Sequence, residues 1–494
     1  MKIRWAVAVC VIVAAVSRLS FIFDPFKNDA GIYVYFGRVL WSGGQLYRDF
    51  WDTKLPSVAL LTAPLYGAFG NHWLAYVVLQ GVMGISAAFI LAGAVGRYVG
   101  RSAYAPALLF GLIAFNFQRI VMTGFQLETF QLFFEVVAAS VVLRSLRRPG
   151  MGQVFVAGLL VALAMMPKPG GFAVGLAATC AYLWEARNGG MASGAKRIAL
   201  LWLGAAIPIL LVAAWVESQP WRVEMPELLR QIRLYGSGTP IRRFLDFRPW
   251  VFFLLPLSPL VIRWVLDRTG VGAKRQGEQA TESGSNGAFF VFAVCWCVFE
   301  FLGVAMQRRL YSYHFLVIMP AVVLLFAISR PTRLAIVLAS IAPLAVLSLC
   351  YSAAGFAMYR NGGQMPISRY IEAHTKPGDA VWADPAGRLL LETNREAGSR
   401  LQMTFYLVNY DGAPRHFADI LLGDFEQRKP KYIMLMQDWA HTMYSVPAVS
   451  GWMKWVPERE RAYEAQCHRI ENYVRSHYHL EKTLDGREAW RRNE

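Results

Sequence analysis

Residues 27–56 read KNDAGIYVYFGRVLWSGGQLYRDFWDTKLP. They follow at once on an apolar opening, MKIRWAVAVCVIVAAVSRLSFIF, which has the length and character of a first membrane span. A short polar turn would be enough to leave such a span. This stretch instead brings Asp29, Asp49 and Asp52, Lys27 and Lys54, Arg38 and Arg48, among many aromatic residues. From Ala30 onward Ile32, Tyr33, Phe36, Val39 and Leu40 recur at helical spacing. That spacing predicts an amphipathic helix over 30–42 lying on the membrane surface. Asp29 stands at its start, where an aspartate is favoured as an N-cap because its carboxylate accepts a backbone N–H. After the Gly43-Gly44 turn come Tyr47, Asp49, Asp52 and Lys54, flanked by Trp51, Leu55 and Pro56. They read either as a solvated loop or, given those flanks, as a partly buried one.

Composition sets the class. The chain has 494 residues, of which 55% are hydrophobic, 14% aromatic and only 17% charged, with a mean hydropathy of +0.34. That profile is too apolar for a soluble protein of this length and fits a multi-pass membrane protein. A net charge of +17 would suit nucleic acid, but the basic residues sit in short clusters between apolar runs. Such clusters are topology signals, so no nucleic-acid partner is expected. Five of the six cysteines lie within apolar runs, and Cys467 stands apart in the polar tail, so no disulfide framework or zinc spacing emerges. Arg18 interrupts the opening stretch, and AVS at 15–17 is a poor cleavage site, so an uncleaved first helix is expected.

Apolar windows over 5–23, 73–96, 102–118, 126–146, 154–167, 170–186, 197–216, 249–266, 288–306, 311–329 and 333–352 predict about eleven spans. Segment 57–70 is apolar but short and contains Pro64, so it reads as a helix at or dipping into the interface. Strict alternation from Lys2 and Arg4 then puts RYVGR at 97–101, RSLRR at 144–148, and the basic loops at 186–197, 267–275 and 330–333 on one side. This is the positive-inside pattern. The opposite, outer face receives loop 24–72, the turn at Lys168, the junction at 307–309 and everything beyond about 353. From about 356 the composition changes: ISRYIEAHTK and HFADILLGDFEQRK suit helices, AVWAD and KYIMLMQ strands. The expected division is a membrane domain over 1–355, including the outer loop 24–72, and an extracytoplasmic α/β domain over 356–494.

The first loop resembles that of the GT-C glycosyltransferases, in the bacterial branch similar to aminoarabinose transferases and protein O-mannosyltransferases. The matching elements are Asp29, Tyr33, Gly43-Gly44, Tyr47, Asp52 and Lys54-Leu55-Pro56. The resemblance implies a polytopic α-helical GT-C membrane protein with a C-terminal extracytoplasmic α/β domain, in a bacterial inner membrane. It implies transfer of a sugar from a polyprenyl-phosphate-linked donor to an acceptor hydroxyl on a lipid, glycan or protein at the outer face, with inversion. In those terms Asp29 is the general base, and Lys54 neutralises the departing phosphate. Many relatives follow the first Asp with a Glu; here Ala30 stands in that place, so no metal and no other cofactor is expected.

Further candidates lie downstream. Glu128 opens the span TGFQLETFQLFFEVV and is expected to support catalysis or touch the acceptor; alternatively it pairs with an arginine such as Arg119. Glu135 and Glu300 read as partners of buried polar groups. Lys168, in MPKPGG, is either a second phosphate contact or a snorkelling interfacial lysine. MQRRLYSYHFLVIMP supplies Arg308, Arg309, Tyr313 and His314, and two arginines on the outer face suit a phosphate. The competing classes are a transporter or flippase, which would place ionisable groups at the midplane in related halves, and a non-catalytic envelope assembly protein.

Overall fold

A computed structural model describes residues 2–27, 29–237, 251, 254–255, 257–262, 265, 285–307, 310–328, 334–360, 362–384, 387–401, 413–437 and 457–494. The chain forms two compact units. The first comprises residues 1–23, 74–215 and 246–360; the second comprises 24–73, 216–245 and 361–494.

The first unit is helical. Among the described residues, six helices are long and apolar enough to cross a membrane: Ile3–Phe23, Trp73–Tyr98, Leu127–Arg147, Met191–Glu217, Gly287–Met306 and Leu334–Met358. The protein is therefore a multi-pass membrane protein, but the expected count of about eleven spans is not reached. Window 249–266 lies only partly within the described residues. The remaining windows form helices of fewer than 18 residues. Window 102–118 yields a helix only over Tyr104–Ala114, and window 154–167 one of 15 residues, Met151–Met165, about 22 Å long. In window 311–329 the first seven residues, Ser312–Ile318, wind as a 3-10 helix before the α-helix Met319–Ile328 begins. Both of these elements and Tyr104–Ala114 are almost wholly buried. Hydropathy cannot separate a lipid-facing span from a helix buried among its neighbours.

Close contacts between helices follow from small residues. A Cβ on Gly158 would lie 2.0 Å from the Leu201 carbonyl oxygen, so helices Met151–Met165 and Met191–Glu217 meet through bare backbone. Arg18, buried in the first helix, donates to Asn116 Oδ1 and the Phe115 carbonyl, each at 3.1 Å. Those bonds satisfy a charge that would otherwise be costly at that depth.

The second unit is built on a five-stranded mixed sheet, ordered β2-β1-β3-β5-β4, from β1 (Ala380–Ala383), β2 (Glu396–Ala397), β3 (Tyr432–Met436), β4 (Tyr478–Leu484) and β5 (Arg487–Arg492). The first three strands pair in parallel and the last two add an antiparallel hairpin. Helices Pro366–His374, Gly387–Thr393, Ala413–Arg428 and Pro457–His477 complete the α/β fold expected from the sequence. By packing, the first loop groups with this segment, across the division at 355/356 expected from composition. Its helix Asp29–Trp41 lies against helix Gly387–Thr393 so closely that a Cβ on Gly31 would sit 3.0 Å from the Arg388 backbone nitrogen. Arg388 reaches back to Asp24 at 3.0 Å, and Arg38 donates to the Leu390 carbonyl at 3.2 Å. Trp51 N–H donates to the Arg400 carbonyl at 2.8 Å.

Candidate active site

Helix Asp29–Trp41 coincides with the predicted 30–42 helix. Asp29 is its first residue rather than the cap preceding it, within the one-residue ambiguity of any helix end. The carboxylate accepts from the Tyr33 hydroxyl at 3.1 Å, one helical turn on, and Tyr33 is itself only 1% exposed. A half-buried carboxylate is thus fixed by a fully buried phenol.

The other loop residues form a tight turn beside that pair. Asp52 is buried, and its Oδ1 accepts from the backbone N–H of Lys54 at 3.0 Å and from Lys54 Nζ at 3.2 Å. The ammonium also lies over the Tyr33 ring, 5.5 Å from its centroid, a cation–π distance. The Lys54 carbonyl accepts from the Tyr47 hydroxyl at 2.7 Å. Burial, and then the negative Asp52 nearby, push the Tyr47 phenol well above its ordinary pKa, so it remains a donor. Tyr47 adopts φ +65°, an uncommon conformation for a non-glycine residue, and packs edge-on against Trp221 at 5.4 Å. The partly buried reading of this loop is therefore the one observed. Asp29, Tyr33, Asp52 and Lys54 come together in one constellation within the second unit.

A second constellation lies in the first unit. Glu128 falls in the first turn of helix Leu127–Arg147, 1% exposed, and its Oε1 is ion-paired with Lys168 Nζ. Its other oxygen, Oε2, is buried without a hydrogen-bond partner among the described residues. The expected alternative partner, Arg119, instead places its guanidinium 5.9 Å from the Tyr351 ring centroid. Lys168 does not snorkel alone either: besides the ion pair it lies 5.5 Å from the Tyr313 ring centroid. Tyr313 stacks on Tyr311 and meets His314 edge-on, with centroids 5.4 and 4.6 Å apart. Glu135 accepts from Gln131 at 2.7 Å, and both it and Glu300 are wholly buried. Arg308 and Arg309 lie outside the described residues.

No cluster of His, Cys, Asp and Glu suited to a metal ion occurs among the described residues. Sequence reasoning passed over Asp24, which is buried between Lys27 at 2.7 Å and Arg388 at 3.0 Å. Only the i,i+3 spacing to Lys27 was visible in the sequence; the partner 364 residues on was not.

The fold so assembled is of the GT-C type, as the first loop suggested. Over 99% of this chain and 98% of the other, it superposes on the crystal structure of ArnT from Cupriavidus metallidurans bound to undecaprenyl phosphate, with a TM-score of 0.62 and 14% identity. The apo crystal structure of that ArnT matches over the same coverage at 15% identity and a TM-score of 0.44. No protein-family model and no curated protein sequence matches the chain.

Proposed function

We propose that the protein transfers a sugar from a polyprenyl-phosphate-linked donor to an acceptor hydroxyl at the outer face of a bacterial plasma membrane. The observation that carries this reading is the loop constellation, in a chain whose whole length takes the ArnT fold. A carboxylate and an ammonium are held on opposite sides of one tyrosine's chemistry, Asp29 at its hydroxyl and Lys54 over its ring. In the reaction Asp29 takes the proton of the acceptor hydroxyl as that oxygen attacks the anomeric carbon. The bond from that carbon to the phosphate oxygen breaks on the opposite face, so configuration inverts. The electron pair stays on the lipid phosphate, where Lys54 neutralises the growing charge. Tyr33 holds Asp29, and Asp52 aims Lys54.

Glu128 is assigned to the acceptor, supported by its buried oxygen that lacks a hydrogen-bond partner among the described residues. Lys168, Tyr313 and His314 are assigned to the donor headgroup together with Arg308 and Arg309, the last two on sequence alone. A multi-pass membrane protein is suited to a lipid-borne donor, whose phosphate lies at headgroup level.

The test is transfer from a polyprenyl-phosphate sugar by the purified full chain, with envelope glycans compared by mass spectrometry in cells with and without it. Asp29→Asn is expected to leave the folded yield intact and to remove transfer by at least a hundredfold. Transfer retained by Asp29→Asn removes the base from this scheme. An unchanged envelope, with lipid movement across vesicles instead, would favour the transporter class.

A further inference from the structure

Beyond the transfer reaction, two basic clusters far apart in the sequence meet on one cavity in the first unit. Arg97 and Arg101 come from the end of helix Trp73–Tyr98 and the turn after it; Arg147 comes from the end of helix Leu127–Arg147. All three line a cavity of about 740 Å³, together with Tyr98 and Tyr104. Among the described residues, no carboxylate lines it. The sequence explains why: no Asp or Glu occurs between Asp52 and Glu128, or between Glu135 and Glu185.

Glycine makes the room. Gly93, Gly96 and Gly100 line the cavity, and Arg97 lies back along its own helix, its Nη2 3.6 Å from where a Gly93 Cβ would be. A cation in the last turn complements the helix dipole, which accounts for Arg97 and for Arg147 one helix at a time. It does not account for Arg101, which lies beyond the helix end, nor for their convergence on one hollow. Positive-inside topology asks only for charge in a loop, not for a cavity.

We propose that this cavity binds the phosphate headgroup of an anionic phospholipid, at the face opposite the transfer reaction. Guanidinium groups match phosphate oxygens in paired hydrogen bonds, and basic pockets between helices at the cytoplasmic surface suit anionic headgroups. The cavity lies at the ends of two helices apolar enough to cross a membrane, Trp73–Tyr98 and Leu127–Arg147, where a lipid headgroup rather than a free anion is at hand.

The test uses the full chain in neutral detergent, titrated with phosphatidylglycerol, phosphatidylcholine or inorganic phosphate, and read by native mass spectrometry and thermal shift. Phosphatidylglycerol is expected to bind at least tenfold more tightly than phosphatidylcholine, and R97Q/R101Q/R147Q to erase that difference. R144Q/R148Q, which removes two arginines that do not line the cavity, is expected to keep it. Gly93→Leu fills the hollow and leaves every charge in place, so it should weaken phosphatidylglycerol as the triple variant does. If the triple variant does not fold, Gly93→Leu and the single R101Q, expected to weaken binding severalfold, carry the test. Equal binding of the two lipids, equal loss in R144Q/R148Q, or competition by inorganic phosphate at matched concentration would each overturn the assignment.

Discussion

Two lysines in this chain are held in nearly the same way. Lys54 pairs with buried Asp52 and lies 5.5 Å over Tyr33; Lys168 pairs with buried Glu128 and lies 5.5 Å over Tyr313. The difference is in what else holds the carboxylate. Asp52 accepts a backbone N–H from Lys54 as well as the ammonium, so the loop satisfies its own acid two residues away. Glu128 draws on a lysine 40 residues distant, and its second oxygen has no hydrogen bond among the described residues. A buried charge that loses its sole counter-ion is expensive, whereas one with backbone donors is less so. Losing Lys54 is therefore expected to cost the fold less than losing Lys168. Lys168 is bound into the fold whatever else it does.

The largest expected effect follows from that asymmetry. Lys168→Ala should cost about 3–5 kcal/mol of stability by stranding Glu128. Lys168→Ala combined with Glu128→Gln should recover most of it in detergent-solubilised thermal denaturation. A loss of less than about 1 kcal/mol in the single variant would make the two lysines equivalent after all. Lys54→Ala should show the reverse profile. Transfer should fall by at least a hundredfold, protection by polyprenyl phosphate should vanish, and stability should change by no more than about 1 kcal/mol.

Tyr33→Phe sharpens the comparison within the first constellation. It removes the hydroxyl that fixes Asp29 but keeps the ring under Lys54. Stability should drop by about 1 kcal/mol, and transfer should fall less than in Asp29→Asn while phosphate protection survives.

The smallest effect belongs to a partly exposed lysine–carboxylate pair that serves as a control. Asp379 accepts from the Lys376 backbone N–H at 2.8 Å and from Lys431 Nζ at 3.1 Å. The Lys376 backbone bond first, then Lys431, hold its pKa below the ordinary carboxylate value. Its stabilising contribution is thus present above the unfolded pKa, near 3.8, and is lost as pH falls through the lower folded value. Asp379→Asn should lower stability at neutral pH slightly, by no more than about 1 kcal/mol, and a denaturation series should show that difference vanish as pH falls through the acid limb.

Much of the architecture was legible because it is local. The 3.6-residue period from Ile32 to Leu40 gave the loop helix, and short apolar runs gave β1 and β3. The hairpin of β4 and β5 was overlooked although its turn is written plainly: Asp485-Gly486, both at positive φ, is the pairing such a turn favours. Its strands YHLEKTL and REAWRR carry too many charges for a period-2 apolar pattern to stand out. The span count of about eleven is not confirmed among the described residues, because helices such as Tyr104–Ala114 are apolar but short and enclosed. Candidate site residues within the first loop were legible through resemblance. The Glu128–Lys168 pairing was not, because sequence offered Arg119 as a nearer cation.

The second unit is assembled from three stretches of chain, 24–73, 216–245 and 361–494, separated by the membrane helices. During synthesis its first piece leaves the ribosome long before the partner carrying Gly387 and Arg388 exists. At about 5–20 residues per second, the helix that bears Asp29 waits roughly a quarter of a minute to a minute for that partner. Throughout that interval Asp24 lacks Arg388 and Arg38 lacks the Leu390 carbonyl. Biogenesis of this protein therefore includes a waiting period, set by the order of its segments, in which the loop lacks the packing that later covers its charges and aromatic rings.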